Sequence, residues 1–86
     1  MKNKTHEALV ITMEECGELI QACSKVIRTD QKSRKYVGQL QDEIGDVACM
    51  IEILKMSSLV TEEMIQDRMV VKRGKLKKWS KIFDDD

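Results

Sequence analysis

Two groups of acidic residues with the same spacing lie within the first 46 residues of this 86-residue chain. Glu15 and Glu18 stand three residues apart, and so do Glu43 and Asp46. On a helix, residues three apart project from one face about one turn from each other. If the two segments form an antiparallel helical hairpin, the pairs meet near its middle. The sequence therefore predicts four converging carboxylates.

Converging carboxylates need a source of positive charge. Two like charges about 4 Å apart repel by about 4 kcal/mol at an effective dielectric constant of about 20. No Lys or Arg lies three or four residues from any of the four acids, so pairing along one helix cannot neutralise them. Three ways of neutralising the carboxylates remain: protonation, ion pairs with another element, and a hard divalent cation. Oxygen ligands without His or Cys pairs best suit Mg²⁺ or Mn²⁺, and Mg²⁺ commonly takes phosphate oxygens as its remaining ligands.

The alternative interpretation is that these acids form an ordinary solvated helix face. Two glycines favour a binding site instead. Gly17 and Gly45 lie inside the acidic clusters, and each costs about 1 kcal/mol relative to Ala in a helix interior. Glycine at such positions predicts the close approach of a neighbouring backbone or a ligand.

Helical elements are expected on both sides of a polar loop. Apolar residues recur at helical spacing from about Thr5 to Arg28 and again from about Lys35 to Lys55. Residues 29–35, between these two segments, contain no apolar side chain and are the predicted loop.

A third helix follows the break at Ser57 and Ser58. Thr61 is the predicted N-cap, with two glutamates in the first turn, and the helix runs to about Trp79. Its end is basic, because seven Lys or Arg residues and no acid lie from residue 68 to residue 81. The last residues, 83–86, are expected to form a frayed acidic tail.

Composition agrees with a single all-α domain covering residues 1–86. The chain is 42% apolar and 35% charged, with no Pro and three aromatic residues. So small and charged a chain has little apolar material for its own core, which predicts oligomerisation. The cysteines, without a C-x-x-C pair, are expected to be small reduced core residues: Cys16, Cys23 and Cys49. There is no long apolar run and no signal peptide, so the expected location is cytoplasmic, away from membranes.

The acidic motifs together resemble a known family. The pattern E-E-x-x-E, followed after 24 residues by E-x-x-D, resembles the MazG-like branch of the all-α NTP pyrophosphohydrolases. The first motif is formed by Glu14, Glu15 and Glu18, and the second by Glu43 and Asp46. The segments around them, residues 17–22 and 42–47, also look typical of that family.

The resemblance implies a Mg²⁺-dependent enzyme that hydrolyses a (d)NTP between its α and β phosphates to a (d)NMP and pyrophosphate. It implies that Glu15, Glu18, Glu43 and Asp46 hold the Mg²⁺, for which Mn²⁺ can substitute. Glu14 and Glu15 would be catalytic, with Glu14 helping to orient the attacking water or a further metal. Short members of the family assemble as dimers or tetramers of helical bundles, so a homodimer or homotetramer is expected.

The third helix is similar to the basic third helix of short MazG-like proteins, which lies near the triphosphate. Arg68, Lys72 and Lys75 share a face by their spacing, and with Arg73 they are the candidates for binding substrate phosphates. The alternative is that a Lys-rich helix end complements the helix dipole and keeps the protein soluble.

Two other functions are open at this level. A small helical nucleic-acid-binding or interaction protein would use the basic helix on phosphate backbones, but it leaves the acidic motifs unexplained, so nucleic acid is not the expected partner. A degenerate family member would bind nucleotide without hydrolysing it.

Overall fold

The computed structural model describes residues 2–84, and their side chains from Lys4 onward. Within that range the chain forms three α-helices and no strand: α1 (Lys2–Arg28), α2 (Arg34–Met56) and α3 (Glu62–Trp79). The prediction of an all-α chain of three helices is confirmed. Residues 85 and 86 of the expected acidic tail lie outside the described range.

The ends of the first two helices differ from the predicted ones by a few residues. α1 begins at Lys2 rather than near Thr5, because no Gly or Pro interrupts its first turn. α2 begins at Arg34 because Ser33 is its N-cap, and the Ser33 side chain accepts a hydrogen bond from the Tyr36 N–H at 3.3 Å. α2 continues to Met56.

The turn after α1 reverses the chain. The Gln31 N–H donates to the Val26 carbonyl at 2.9 Å and the Asp30 N–H to the Ile27 carbonyl at 3.1 Å. With Asp30 in the left-handed region at φ 54°, this is the hydrogen-bond pattern of a Schellman motif. α2 therefore starts within a few residues of the end of α1 and runs back along it.

α1 and α2 form an antiparallel hairpin, as expected. Near the loop, the Lys25 ammonium lies 5.8 Å from the centre of the Tyr36 ring. At the open end, Ala8 and Ile53 line one cleft. The buried apolar side chains of the described chain are only Ala8, Ala22 and Met50, so the hairpin has a small core.

The cysteine prediction was wrong in one respect. All three are free, as expected, but Cys16, Cys23 and Cys49 are exposed in the single chain rather than part of its core. The reason is their position on the helices. The residues of each helix that lie against the other helix form a line, called here the packed stripe. Cys16 and Cys23 each follow a residue of the packed stripe of α1, Glu15 and Ala22, so they are rotated by about 100° away from α2.

α3 stands almost apart from the hairpin, with next to no contact with α1 or α2. Its predicted N-cap is present, since the Thr61 hydroxyl accepts from the Met64 N–H at 3.1 Å. Lys55 of α2 joins it to the hairpin through an ion pair with Glu62 at 3.1 Å. The chain is consequently elongated, at 48 × 31 × 14 Å.

Beyond α3 the chain turns, and the Asp84 N–H donates to the Lys81 carbonyl at 2.9 Å. Over residues 2–84, no helix combines the length and the apolar character that crossing a membrane requires.

Candidate metal centre

Three of the four predicted carboxylates come together. Glu15 on α1 and Glu43 and Asp46 on α2 each offer one carboxylate oxygen, and these three atoms all lie within 4.8 Å of one another. Glu15 and Glu43 are half-buried and Asp46 is exposed. The group is therefore set into the hairpin interface and open on one side.

The heptad spacing of the packed stripes explains this position. Glu15 lies seven residues from both Ala8 and Ala22, which are buried against α2. Glu43 lies seven residues before the buried Met50. Because seven residues make nearly two full turns, each glutamate occupies the line along which the helices touch.

Two oxygens of the group have no partner. Glu15 Oε2 and Glu43 Oε2 are shielded from solvent and accept no hydrogen bond from any described residue. A buried polar oxygen normally has a hydrogen-bond or ionic partner, because leaving it without one is costly. A proton or a bound cation would satisfy these oxygens.

The pKa values report the same crowding. The pKa of Glu43 is raised from 4.5 to about 7, first by desolvation and then by the negative charges of Glu18 and Glu15. The pKa of Glu15 is also raised, first by desolvation and then by the charges of Glu18 and Asp46. Near neutral pH the group thus keeps a proton that ordinary carboxyls would lose, unless another positive charge replaces it.

The other two predicted acids lie at the margin. Glu18 is exposed and outside the 4.8 Å group, although its charge acts on both Glu15 and Glu43. Glu14 is exposed on the solvent side of α1. The five acids of the two motifs therefore occupy three kinds of position. Glu15, Glu43 and Asp46 form a group at the hairpin interface, Glu18 lies beside this group, and Glu14 lies farther out on the surface.

The structure does not bring the basic residues of α3 to these acids. Arg68, Lys72, Arg73 and Lys75 are all exposed, and α3 hardly contacts the hairpin. Over the described chain, no ion pair joins any of them to the carboxylate group. Positive charge from the same chain's α3 is thus absent from the centre in this arrangement.

A cleft that the sequence patterns did not predict adjoins the carboxylates. It has a volume of about 280 Å³ and is lined by Glu18, Gln21, Ala22, Lys25, Gln39, Asp42 and Glu43. Lys25 also lines a neighbouring cleft, with Arg28, Thr29 and Tyr36. Spacing would have revealed part of this surface, because Gln21 and Lys25 follow Glu18 by three and seven residues on one helix face.

No close neighbour of the kind expected at Gly17 and Gly45 is found in the described chain. A Cβ placed on Gly17 or Gly45 would meet no atom within 4 Å. Both glycines lie on the outward sides of their helices, so no neighbouring backbone of this chain approaches them. The two glycines therefore do not favour a binding site over solvated acids. The unpartnered oxygens of Glu15 and Glu43 do favour a binding site.

The donor set has a definite chemical character. It consists of carboxylate oxygens only, with no thiol or imidazole in the group, and such sets select hard divalent cations. Comparison of the chain with protein-family models, with curated proteins and with solved structures finds no match.

Proposed function

We propose that this chain is a Mg²⁺-dependent nucleoside triphosphate pyrophosphohydrolase of the MazG-like kind. It would hydrolyse a (d)NTP between the α and β phosphates to a (d)NMP and pyrophosphate. One observation carries the proposal: Glu15 and Glu43 each hold a solvent-shielded oxygen without a partner inside a group of three carboxylates. The order and spacing of the two acidic motifs support the choice of family.

The residues fit a divalent cation. Glu15, Glu43 and Asp46 would hold Mg²⁺ or Mn²⁺, with Glu18 beside them as a further ligand. When bound, such a cation polarises a phosphate and lowers the pKa of water. This chemistry needs no Ser, Cys or His nucleophile.

The remaining residues would orient the reactants. Glu14 is solvent-exposed next to Glu15, where its carboxylate can accept a hydrogen bond from the attacking water. The cleft beside Glu18 and Glu43 extends the site toward Lys25, whose ammonium can bind a phosphate oxygen. Its two amides, Gln21 and Gln39, offer donors and acceptors to the rest of the nucleotide.

The basic residues of α3 require assembly to take part. Arg68, Lys72, Arg73 and Lys75 lie on a helix that is not docked on its own hairpin. In a homodimer or homotetramer of helical bundles, α3 of one chain can approach the centre of another and supply phosphate contacts. Oligomerisation is therefore part of the proposal.

A second candidate follows from α3 itself. A basic, exposed helix that hardly contacts the hairpin would also suit nucleic-acid binding through phosphates. That function predicts salt-sensitive binding to DNA or RNA and no effect of a change at Glu43.

The test is hydrolysis of each common NTP and dNTP with Mg²⁺, with the products resolved by ion-exchange chromatography. We expect monophosphate and pyrophosphate from the parent and from the control Glu7→Gln, which alters an exposed acid of α1 outside the centre. Glu43→Gln should be inactive. Diphosphate with inorganic phosphate would contradict the proposed bond, and no turnover combined with nucleic-acid binding would favour the second candidate.

A further inference from the structure

A second cleft of the hairpin lies toward the loop and is lined by no acid. It has a volume of about 190 Å³, is called here the loop cleft, and is lined by Lys25, Arg28, Thr29 and Tyr36. The cleft beside the carboxylates, by contrast, is lined by three acids, Glu18, Asp42 and Glu43. Lys25 lines both clefts, whereas Arg28 and Tyr36 line the loop cleft and not the other.

The cations of the loop cleft have no counter-ion in the described chain. Lys25 is half-buried, and neither Lys25 nor Arg28 forms an ion pair with a described residue. Residues 25–36 contain five cations and one acid, Asp30, which pairs with none of them. A half-buried ammonium without a counter-ion is unfavourable, because its charge has lost part of its water. A bound anion would supply the missing negative charge.

Lys25 and Arg28 are not needed to cap α1. Basic side chains near the C-terminus of a helix can bind its last carbonyl groups. Here the carbonyls of residues 25–27 already accept hydrogen bonds from the backbone N–H groups of residues 29–31. The Thr29 hydroxyl also donates to the Lys25 carbonyl at 2.9 Å. The ammonium of Lys25 and the guanidinium of Arg28 are therefore available to a ligand.

The positive charge continues where a helix dipole opposes it. α2 begins at Arg34, which Lys35 follows, and its first turn contains no acid. The N-terminus of a helix carries a partial positive charge and is stabilised by acids. The dipole of α1 favours Lys25 and Arg28, but neither dipole accounts for the two cations of α2. The loop end of the hairpin therefore has an excess of positive charge that favours an anion.

The donors of the loop cleft suit a phosphate group. A guanidinium offers parallel N–H donors to two phosphate oxygens, and an ammonium binds phosphate as a compact charge. The Lys25 ammonium lies 5.8 Å from the centre of the Tyr36 ring. The Tyr36 hydroxyl has no hydrogen bond to a described residue and is a third donor. Two cations balance the charge of about −2 on a phosphate group, whereas a carboxylate carries half that charge.

The loop cleft is separate from the carboxylate group. Lys25 follows Glu18 by seven residues on α1, and Tyr36 precedes Glu43 by seven residues on α2. Seven residues span about 10 Å along a helix. One phosphate group therefore cannot contact both Arg28 and the carboxylates, and the loop cleft is a second site.

We propose that the loop cleft binds a phosphate group, with Arg28, Lys25 and Tyr36 as its donors. This binding needs no metal and is independent of the proposed activity. The group can come from two sources. One is a free phosphate compound, and the other is a phosphate on the ribose of a nucleotide whose 5′-phosphates lie at the carboxylates.

Calorimetric titration with pyrophosphate tests the site, in buffer freed of metal ions by a chelating resin. We expect saturable binding to the parent. Arg28→Met should raise the dissociation constant about tenfold, and Tyr36→Phe about threefold. The control Lys32→Met removes the same charge from the exposed turn outside the loop cleft and should bind like the parent.

Three results would overturn the proposal. The first is the absence of binding by the parent. The second is equal weakening in Arg28→Met and Lys32→Met, which would indicate diffuse attraction to a basic surface. The third is weaker binding by Glu43→Gln, which would place the pyrophosphate at the carboxylates.

Nuclear magnetic resonance of the unaltered protein covers the case in which a variant fails to fold. Tyr36 is the one tyrosine of the chain, so its ring resonances report on the loop cleft. These resonances should shift as pyrophosphate is added and should saturate with the calorimetric dissociation constant. Unshifted Tyr36 resonances at saturating pyrophosphate would refute the site.

Two non-hydrolysable nucleotides distinguish the sources in the presence of Mn²⁺: the α,β-methylene analogue of ATP with a 3′-phosphate and the same analogue without it. If the 3′-phosphate binds in the loop cleft, the phosphorylated analogue binds the parent more tightly, and Arg28→Met removes the difference. If the ligand is a free phosphate compound, the two analogues bind equally and Arg28→Met weakens pyrophosphate alone. Either result supports the site.

Discussion

Glu15 and Glu43 face each other across the α1–α2 interface, each with one carboxylate oxygen closed to solvent and to every hydrogen-bond donor of the described residues. Both occupy positions of the packed stripe, where a helical hairpin ordinarily places apolar side chains. The fold thus contains negative charge that it does not neutralise by itself. A proton or a cation from solution must therefore neutralise it.

Stability without metal should fall as the pH rises. The pKa of Glu43 is about 7 in the fold, against 4.5 for an ordinary glutamate. Between these values the folded chain keeps a proton that the unfolded chain has lost. The free energy of unfolding therefore decreases from about pH 4.5 to about pH 7 and then levels off. Thermal melting in EDTA at several pH values measures this decrease.

Glu43→Gln isolates this effect from other titrating groups. The amide keeps the shape of the side chain and cannot ionise, so the melting temperature of the variant should fall less than that of the parent over the same pH range. Glu7→Gln, an exposed change on α1, should behave like the parent. Identical pH profiles for all three proteins would show that Glu43 has an ordinary pKa.

Metal binding should release the retained proton. A divalent cation requires the ionised carboxylate, so the cation competes with the proton on Glu43 below about pH 7. The apparent affinity for Mn²⁺ should rise by about tenfold per pH unit below that value and change little above it. Calorimetric titration in buffers of different ionisation enthalpy measures the proton release directly. An affinity that is constant from about pH 5.5 to pH 8 would contradict the assignment.

The cleft should contribute to nucleotide binding through Lys25. Replacing it by Met removes one charge-assisted contact, which should raise KM about tenfold and leave kcat unchanged. Lys35→Met is the matched control, because the Lys35 ammonium lies 5.7 Å from the centre of the same Tyr36 ring but does not line the cleft. Steady-state kinetics with the preferred nucleotide separates the two. Equal KM values for Lys25→Met and Lys35→Met would indicate that the nucleotide does not bind in this cleft.

The outward glycines should tolerate a side chain. A Cβ at Gly17 or Gly45 meets open space in the single chain, and Ala is favoured over Gly in a helix interior by about 1 kcal/mol. Each Gly→Ala variant should therefore melt about 4–8 °C higher than the parent. Lowered stability or lost association in one of them would reveal that another molecule approaches this side of the hairpin closely.

Sequence patterns predicted the helices and the meeting of the acids because both depend on local periodicity. The 3.6-residue repeat identifies α1 and α2, and a hairpin with a short loop then places Glu15 opposite Glu43. Thr61 was identified as an N-cap by its side chain and the acids after it. Ser33, in an equally polar stretch, was missed because several neighbouring residues offered the same signal.

The placement of α3 was less predictable. Helical periodicity predicts that this segment forms a helix but does not predict where the helix docks. In the single chain α3 hardly contacts the hairpin. The cysteines were misassigned for a related reason. A wide apolar arc on α1 combines a stripe that contacts α2 with one that does not, and sequence alone does not separate a core from a face that remains exposed.

The carboxylate group is tested most directly by Mn²⁺ binding followed by electron paramagnetic resonance, which reports the free ion as protein is added. At about pH 8 we expect saturable binding to the parent and to Glu7→Gln, and binding lost in Glu15→Gln and Glu43→Gln with helix content retained. Equal binding by all four proteins, or no binding by the parent, would contradict the assignment of the carboxylate group as a metal centre.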